Sequence, residues 1–415
     1  MILITLGLGA GLTTHDCYES TPLHLALQEG QWDVARLLIE RGADVTAQNK
    51  AEETPLHLAS QEGQVDMVSM LIEHGADVTA QNGYGSTPLH LALKEGQVDV
   101  ARMLIEHGAG LTAQDGYGST PLHLASQEGQ LDVTRMLIEH GANLNAQDGY
   151  GSTPLHLALQ EEQVDVTRML IEHGAGLTAQ DGYGSTPLHL ALQGGQADMA
   201  RMLIERGADV STQNKAKETP LHLASQGRQV DVASMLIDHG ADVTAQDRYG
   251  STPLHLALQE GQLDVARMLI EHGSGLTAQD RYGSTPLHLA LKEGQVDVAR
   301  MLIEHGAGLT AQDGYGSTPL HLALQEGQVD MARMLIENGA GLTAEDDDGE
   351  TPLHLALQEG QVDVARMLIE HGVNVTAQNK AGETPLHFAS QMGQIDIARM
   401  LIERGADLTA QSNDR

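Results

Sequence analysis

Aromatic side chains supply only 2% of this 415-residue chain, with a single Trp and a single Phe. An interior must therefore come from Leu, Ile, Val, Ala and Met, for which the 41% hydrophobic fraction is enough. The methionines, 16 in all, recur mainly at one periodic position and read as core filler. Cys17 is the one cysteine, so no intrachain disulfide can form, which fits a reducing compartment, cytoplasmic or nuclear. Cations are scarce: 23 Lys and Arg stand against 57 Asp and Glu, a net charge of −34. That sign argues against DNA, RNA and anionic membrane surfaces as direct partners. Long apolar runs are missing too. The opening stretch Met1 to Leu8 lacks the basic start of a signal peptide and is too short to span a bilayer.

Catalytic signatures are equally absent. No Gly-Lys-Ser/Thr phosphate loop occurs, and no nucleophile–base pair stands out from the background. Cys17 with His15 is a lone pair near the start of the chain. Asp346-Asp347-Asp348-Gly349-Glu350 lacks the alternation and the final Glu of an EF-hand loop and reads as a solvated acidic turn. The chain therefore reads as a non-enzyme without cofactor or metal. Asn374-Val375-Thr376 matches a glycosylation sequon by chance in a chain without a secretion signal.

What is present is one motif, Thr21-Pro22-Leu23-His24-Leu25-Ala26, returning every 33 residues. Its threonine stands at Thr21, Thr54, Thr87, Thr120, Thr153, Thr186, Thr219, Thr252, Thr285, Thr318, Thr351 and Thr384, and the motif holds all 12 prolines. Local signals within one period agree. Over residues 115–147, Thr120 suits an N-cap with Pro121 at the first helical position. Leu122, Leu124 and Ala125 have helical spacing, and Gly129 stops the helix. Asp132 is placed to cap a second helix carrying Val133, Met136, Leu137 and Ile138, which Gly141 ends. Asp148-Gly149-Tyr150-Gly151 then forms a turn-rich hairpin ahead of Thr153.

The period and the motif resemble the ankyrin repeat, across nearly the whole chain. The resemblance implies an all-α repeat solenoid: about twelve helix-turn-helix-hairpin units in a curved stack. The units start near residues 16, 49, 82, 115, 148, 181, 214, 247, 280, 313, 346 and 379, giving an array over 16–411 between a truncated repeat remnant, 1–15, and a tail, 412–415. Neither end carries a polar cap, so the chain is expected to be an excerpt of a longer protein or to start at an internal Met. One unit cannot bury its apolar stripes alone, so stacking supplies the stability. Most repeats carry a charge of about −3 and neighbours lie within roughly a Debye length, about 8 Å, so salt should stabilise the stack.

Departures from the repeat are informative. Glu162 and Arg228 replace the glycine that stops the first helix, and Glu19, Glu52 and Lys217 replace the hairpin glycine, which predicts altered turns there. A longer period is superimposed: Asn49-Lys50-Ala51, Asn214-Lys215-Ala216 and Asn379-Lys380-Ala381 recur at intervals of five repeats. A duplicated five-repeat block would present one binding surface more than once.

Two sets of histidines are candidate sites. The twelve motif histidines are one repeat apart, roughly 8–10 Å, too far to share a metal ion. In the ankyrin family this Thr and His join a hydrogen-bond network, which implies the same role here. The histidines of His-Gly, among them His74, His107 and His140, end the second helices, where the dipole favours a cation. Arg41, Arg206 and Arg404 fill the same slot. The eight tyrosines share one hairpin position, at Tyr18, Tyr84, Tyr117, Tyr150, Tyr183, Tyr249, Tyr282 and Tyr315. Each ring either packs on its neighbouring hairpin or meets a partner, and the two are compatible.

In the family, hairpin tips and the first helices line the concave binding face. The resemblance thus implies a partner-binding surface of Tyr84, Tyr117, Tyr150, Tyr183, Tyr249, Tyr282 and Tyr315 with Arg248, Arg281, Lys94 and Lys292. The asparagine modified by hydroxylases in that family survives only as Asn145. The expected function is a protein–protein interaction scaffold, an adaptor holding a basic or mixed-charge polypeptide, acting as a monomer or within a longer chain. The alternative is the sensor or targeting array of a larger signalling ATPase or enzyme whose catalytic domain lies outside this chain, as in similar fungal arrays joined to nucleotide-binding domains.

Overall fold

The computed structural model describes residues 14–413; the expected remnant before Thr14 and the last two residues of the tail lie outside them. The described residues hold 24 helices and no strand, in strict alternation of a seven-residue and a nine-residue helix. They fall into two compact units, 1–209 and 210–415. Within each unit, a first helix packs on its own second helix and on the first helix of the next repeat. No described helix is long and apolar enough to cross a membrane.

The first helix starts where the motif requires it. In Pro121–Gln127, Thr120 is an extended N-cap with Pro121 next to it, and the Thr120 side chain and His123 form a reciprocal capping box. Gly129 takes φ +67° after the helix and turns the chain into Leu131–Glu139. The second helix corrects one expectation. Its N-cap is Gln130, without a side-chain cap bond, and Asp132 lies inside the first turn. There its carboxylate faces the positive end of the helix dipole rather than an unpaired N–H.

The interior is aliphatic, as the composition requires. Leu122, Ala125 and Leu137 are fully buried, and Leu155, Ala158 and Leu170 repeat the pattern one unit on. The last helix buries Ile397 and Leu401 and exposes Ile395 and Ile402.

The substituted glycines behave differently from expectation. Glu19, Glu52 and Lys217 adopt φ of 59°, 59° and 61°, and Glu52 and Lys217 keep the turn bond to Asn49 and Asn214 at 2.8 Å. Gly85 makes the same 2.8 Å bond to Asn82, so the turn is retained and the side chain is held in the left-handed region. Glu162 likewise keeps its glycine's role at φ 56°. Arg228 does not: it is outside the left-handed region, and the preceding Gly227 absorbs the change at φ −100°, ψ 72°.

One recurring residue was assigned no role from the sequence. Gln follows the stop position in every repeat, from Gln31 to Gln394. In most repeats its amide reaches back to the preceding repeat: Gln295 Nε2 donates to the Leu258 carbonyl and Gln328 Nε2 to that of Leu291, each at 2.6 Å, whereas Gln31, Gln64 and Gln262 donate to the carbonyl two residues before them. Those carbonyls sit in the last turn of a first helix, where they also accept from the stop glycine, Gly261 to Leu258 at 3.2 Å and Gly294 to Leu291 at 3.1 Å. In those repeats the glutamine adds a second donor, from the next repeat, to the C-terminal turn of a first helix.

Candidate interaction surface at the hairpin tips

Each hairpin is built around an Asx turn. Asp115 Oδ1 accepts from the backbone N–H groups of Tyr117 and Ser119, both at 2.9 Å. Gly118, at φ +78°, closes the turn on the Asp115 carbonyl at 2.8 Å. Asp346 makes the same pair of bonds with Asp348 and Glu350, which gives the acidic run 346–350 a structural role. No group of His, Cys, Asp and Glu suited to a metal occurs among the described residues. Asn374 uses its Oδ1 on Thr376 as Asp44 does on Thr46, so the sequon residue belongs to a repeated turn.

Successive hairpins are joined through the tyrosine backbone. The Tyr84 carbonyl accepts from Gly116 N–H at 2.7 Å, Tyr117 from Gly149 at 2.7 Å, and Tyr150 from Gly182 at 2.6 Å. In the second unit, Tyr249 accepts from Arg281 at 2.7 Å and Tyr282 from Gly314 at 2.6 Å. Gln114 adds a strut by donating to the Gly118 carbonyl at 2.9 Å and to that of Gln147 at 3.3 Å. These bonds set the rings one repeat apart on a backbone that has little freedom to move.

The rings themselves point outward. Tyr84, Tyr117, Tyr150, Tyr183 and Tyr315 are between 66% and 79% exposed, whereas Tyr249 and Tyr282 are 46% and 55% exposed. The cause is Arg281. Its guanidinium carbon lies 4.7 Å from the Tyr249 ring centroid and 4.6 Å from that of Tyr282. Arg248 also approaches Tyr249, with its guanidinium carbon 5.8 Å from the ring centroid. An Arg281 amine also donates to the Tyr282 hydroxyl. The structure therefore brings Arg248 and Arg281 onto the tyrosine rings. Lys94 and Lys292 stand apart from this constellation as the exposed last residues of the helices Pro88–Lys94 and Pro286–Lys292, where the dipole favours them.

The residue ahead of each tyrosine position is the signal that a sequence reading could have used. It is glycine at 83, 116, 149, 182 and 314, basic at Lys50, Lys215, Arg248, Arg281 and Lys380, and neither at Cys17 and Asp347. The three lysines belong to the five-repeat blocks, in which Ala replaces Tyr. Those hairpins are further marked by an Asn–Glu side-chain bond: Asn49 to Glu53 at 3.1 Å, Asn214 to Glu218 at 2.8 Å, Asn379 to Glu383 at 3.3 Å.

The histidines are joinery. Thr153 N–H donates to His156 Nδ1 at 3.2 Å, so the imidazole proton must sit on Nε2, which donates to the Ser185 carbonyl at 3.1 Å. The same pattern links His123 to Ser152 and His288 to Ser317. Burial, above all other influences, holds the pKa of His123, His156, His255 and His288 below its ordinary value, and the carbonyl bonds oppose this only in part. Each ring is thus a neutral strut between one repeat and the next.

The His-Gly set works differently. His74 and His107 donate from Nδ1 to the carbonyl four residues earlier at 2.8 Å, and the neutral amide of Asn338 makes the same bond to Met334 at 2.8 Å. A second, side-chain donor to a carbonyl that already accepts the backbone N–H of the same residue is common to all three, so a neutral amide serves there as well. His15 is tied to the Glu19 carbonyl at 3.0 Å beside the exposed, free Cys17.

A family model described as ankyrin repeats, three copies, matches residues 2–82, 80–148, 146–214, 206–280, 274–346 and 341–412. No curated protein matches the chain.

Proposed function

Because the chain belongs to the ankyrin repeat family, whose members are protein–protein interaction modules, we propose that it is a scaffold holding a basic or mixed-charge polypeptide on its hairpin and first-helix face. The observation that carries this reading is the file of tyrosines, 66–79% exposed in the run from Tyr84 to Tyr183, standing on a hydrogen-bonded backbone. Tyrosine offers a large contact area with few rotamers to immobilise, and a rigid base lowers the entropy cost of binding further. Arg248, Arg281, Lys94 and Lys292 vary the charge along that face. The net charge of −34 would steer a basic partner towards it.

Affinity capture with the intact chain, repeated after changing Tyr84, Tyr117, Tyr150 and Tyr183 to Ala, tests the proposal. The expected result is loss of the captured proteins with the fold retained by circular dichroism. Capture that is indifferent to all four changes would move the binding surface elsewhere.

A further inference from the structure

The contact between Arg281 and its two tyrosines shows what the interval between neighbouring rings accommodates. A guanidinium lies between rings one repeat apart, with its carbon under 5 Å from both centroids. At the same position in the first unit stand Gly116, Gly149 and Gly182, which put no side chain between the rings of Tyr84, Tyr117, Tyr150 and Tyr183. The backbone is otherwise alike, since Gly149 and Arg281 each donate to the preceding tyrosine carbonyl at 2.7 Å. Three successive intervals thus have the walls of the Arg281 site without its occupant. The higher exposure of these rings, 66–79% against 46% and 55%, is the surface that an occupant would cover.

We propose that each glycine interval takes one arginine side chain of an extended partner peptide, so that Arg281 is a built-in counterpart of the ligand. This rests on the reading of the hairpin face as the interaction surface and specifies its partner. Arginine is favoured over lysine because a planar guanidinium stacks on two rings at once, while an ammonium is a compact, strongly hydrated charge. The spacing follows from geometry. Repeats stack at roughly 8–10 Å, and an extended chain advances about 3.3 Å per residue. Arginines three residues apart therefore match the file, and a peptide of the form Arg-x-x-Arg-x-x-Arg fills the run from Tyr84 to Tyr183.

The test uses the full chain and three fluorescent peptides of equal composition, with three arginines spaced by two, three or four residues. Anisotropy at fixed salt should show the three-residue spacing about tenfold tighter than the others, at roughly threefold per additional interval engaged. Gly149→Arg should plug the middle interval and weaken that peptide about threefold or more. Its added Cβ would stand 2.7 Å from the Tyr117 carbonyl oxygen, so the hairpin must move there, and circular dichroism checks that the fold is kept. Arg281→Gly should open an interval beside the one at Gly314 and tighten binding to the second unit about threefold. Equal affinity for all spacings, or a Gly149→Arg protein that binds as well as the parent, overturns the proposal. If tyrosine-to-alanine changes still weaken every peptide equally, the face survives as a binding surface and only the arginine intervals are lost. If those changes weaken none, the face itself is refuted.

Discussion

The tyrosine runs of the two units are built on one plan and differ at the hairpin tips. In residues 1–209, Tyr84, Tyr117, Tyr150 and Tyr183 are separated by Gly116, Gly149 and Gly182. In residues 210–415, Tyr249, Tyr282 and Tyr315 are separated by Arg281 and Gly314, and Asp348 stands where a fourth ring would be. The Asx turn, the backbone bond between hairpins and the buried histidine are the same in both. The repeat thus keeps its frame constant and varies the tip, and one side chain there converts exposed rings into an occupied cation site. A stack whose joinery is separate from its surface can change partners without changing stability.

That separation can be broken most forcefully by acid. Five buried motif histidines in each unit have folded-state pKa values depressed chiefly by burial, from His24 to His156 and from His222 to His354. Below pH about 6.5 the unfolded chain binds protons that the native rings resist. Stability is therefore complete above that value and falls as the pH drops towards the folded pKa values, by up to about 1.4 kcal/mol per pH unit per histidine. Thermal melts at pH 7.5, 6.0 and 5.0 should show a steep fall, shared by both units because the struts are shared. A large transition insensitive to acid would show that the histidines are not the common frame.

Removing one strut should cost less and still act alike in the two units. His123→Ala and His288→Ala each delete a buried ring and leave the N–H of Thr120 or Thr285 without its acceptor, an expected loss of about 3 kcal/mol by denaturant titration. A cost below about 1 kcal/mol in either unit would end the equivalence. The non-glycine stops sharpen the contrast. Glu162→Gly relieves a left-handed residue and should stabilise by about 1 kcal/mol. Arg228→Gly relieves nothing, because Arg228 has no positive φ, and should bring no gain.

Smaller still are the effects at the tips. Tyr117→Ala should change stability by less than about 0.5 kcal/mol, while Tyr249→Ala frees Arg281 from one ring and should cost about 0.5–1 kcal/mol. The same measurement with added NaCl should raise the melting temperature modestly, since like charges on neighbouring repeats repel over roughly a Debye length. A fall with salt would mean that attractive pairs such as Arg333–Asp363, at 3.3 Å, outweigh that repulsion.

Much of this was readable in the chain. The Thr-Pro-Leu-His spacing announced the helices, because a capping threonine, a proline at the first position and a stop glycine are local devices that act within one turn. The tyrosine file was readable for the same reason, as all eight rings share one register. Three features were not. Asp132 looked like a cap, but helix starts shift by one or two residues and Gln130 took the place. Glu52 and Lys217 looked like broken turns, although stacked hairpins on both sides can hold a strained residue that the isolated segment would avoid. The glutamine clamp joins residues 37 apart, as from Gln295 to Leu258, and its regular recurrence alone does not reveal a partner in the preceding repeat.

By itself, then, the sequence determined the period, the helix pairs, the aliphatic interior and the sign of the charge, all of which follow from residue types at fixed intervals. Only the tertiary structure decided which groups meet across that interval. Whether His156 binds a metal or a carbonyl, or whether Arg281 faces solvent or two rings, depends on what the neighbouring repeat places 30 or so residues away within hydrogen-bonding or stacking distance. Contact between repeats is a property of the stack, which no single repeat possesses.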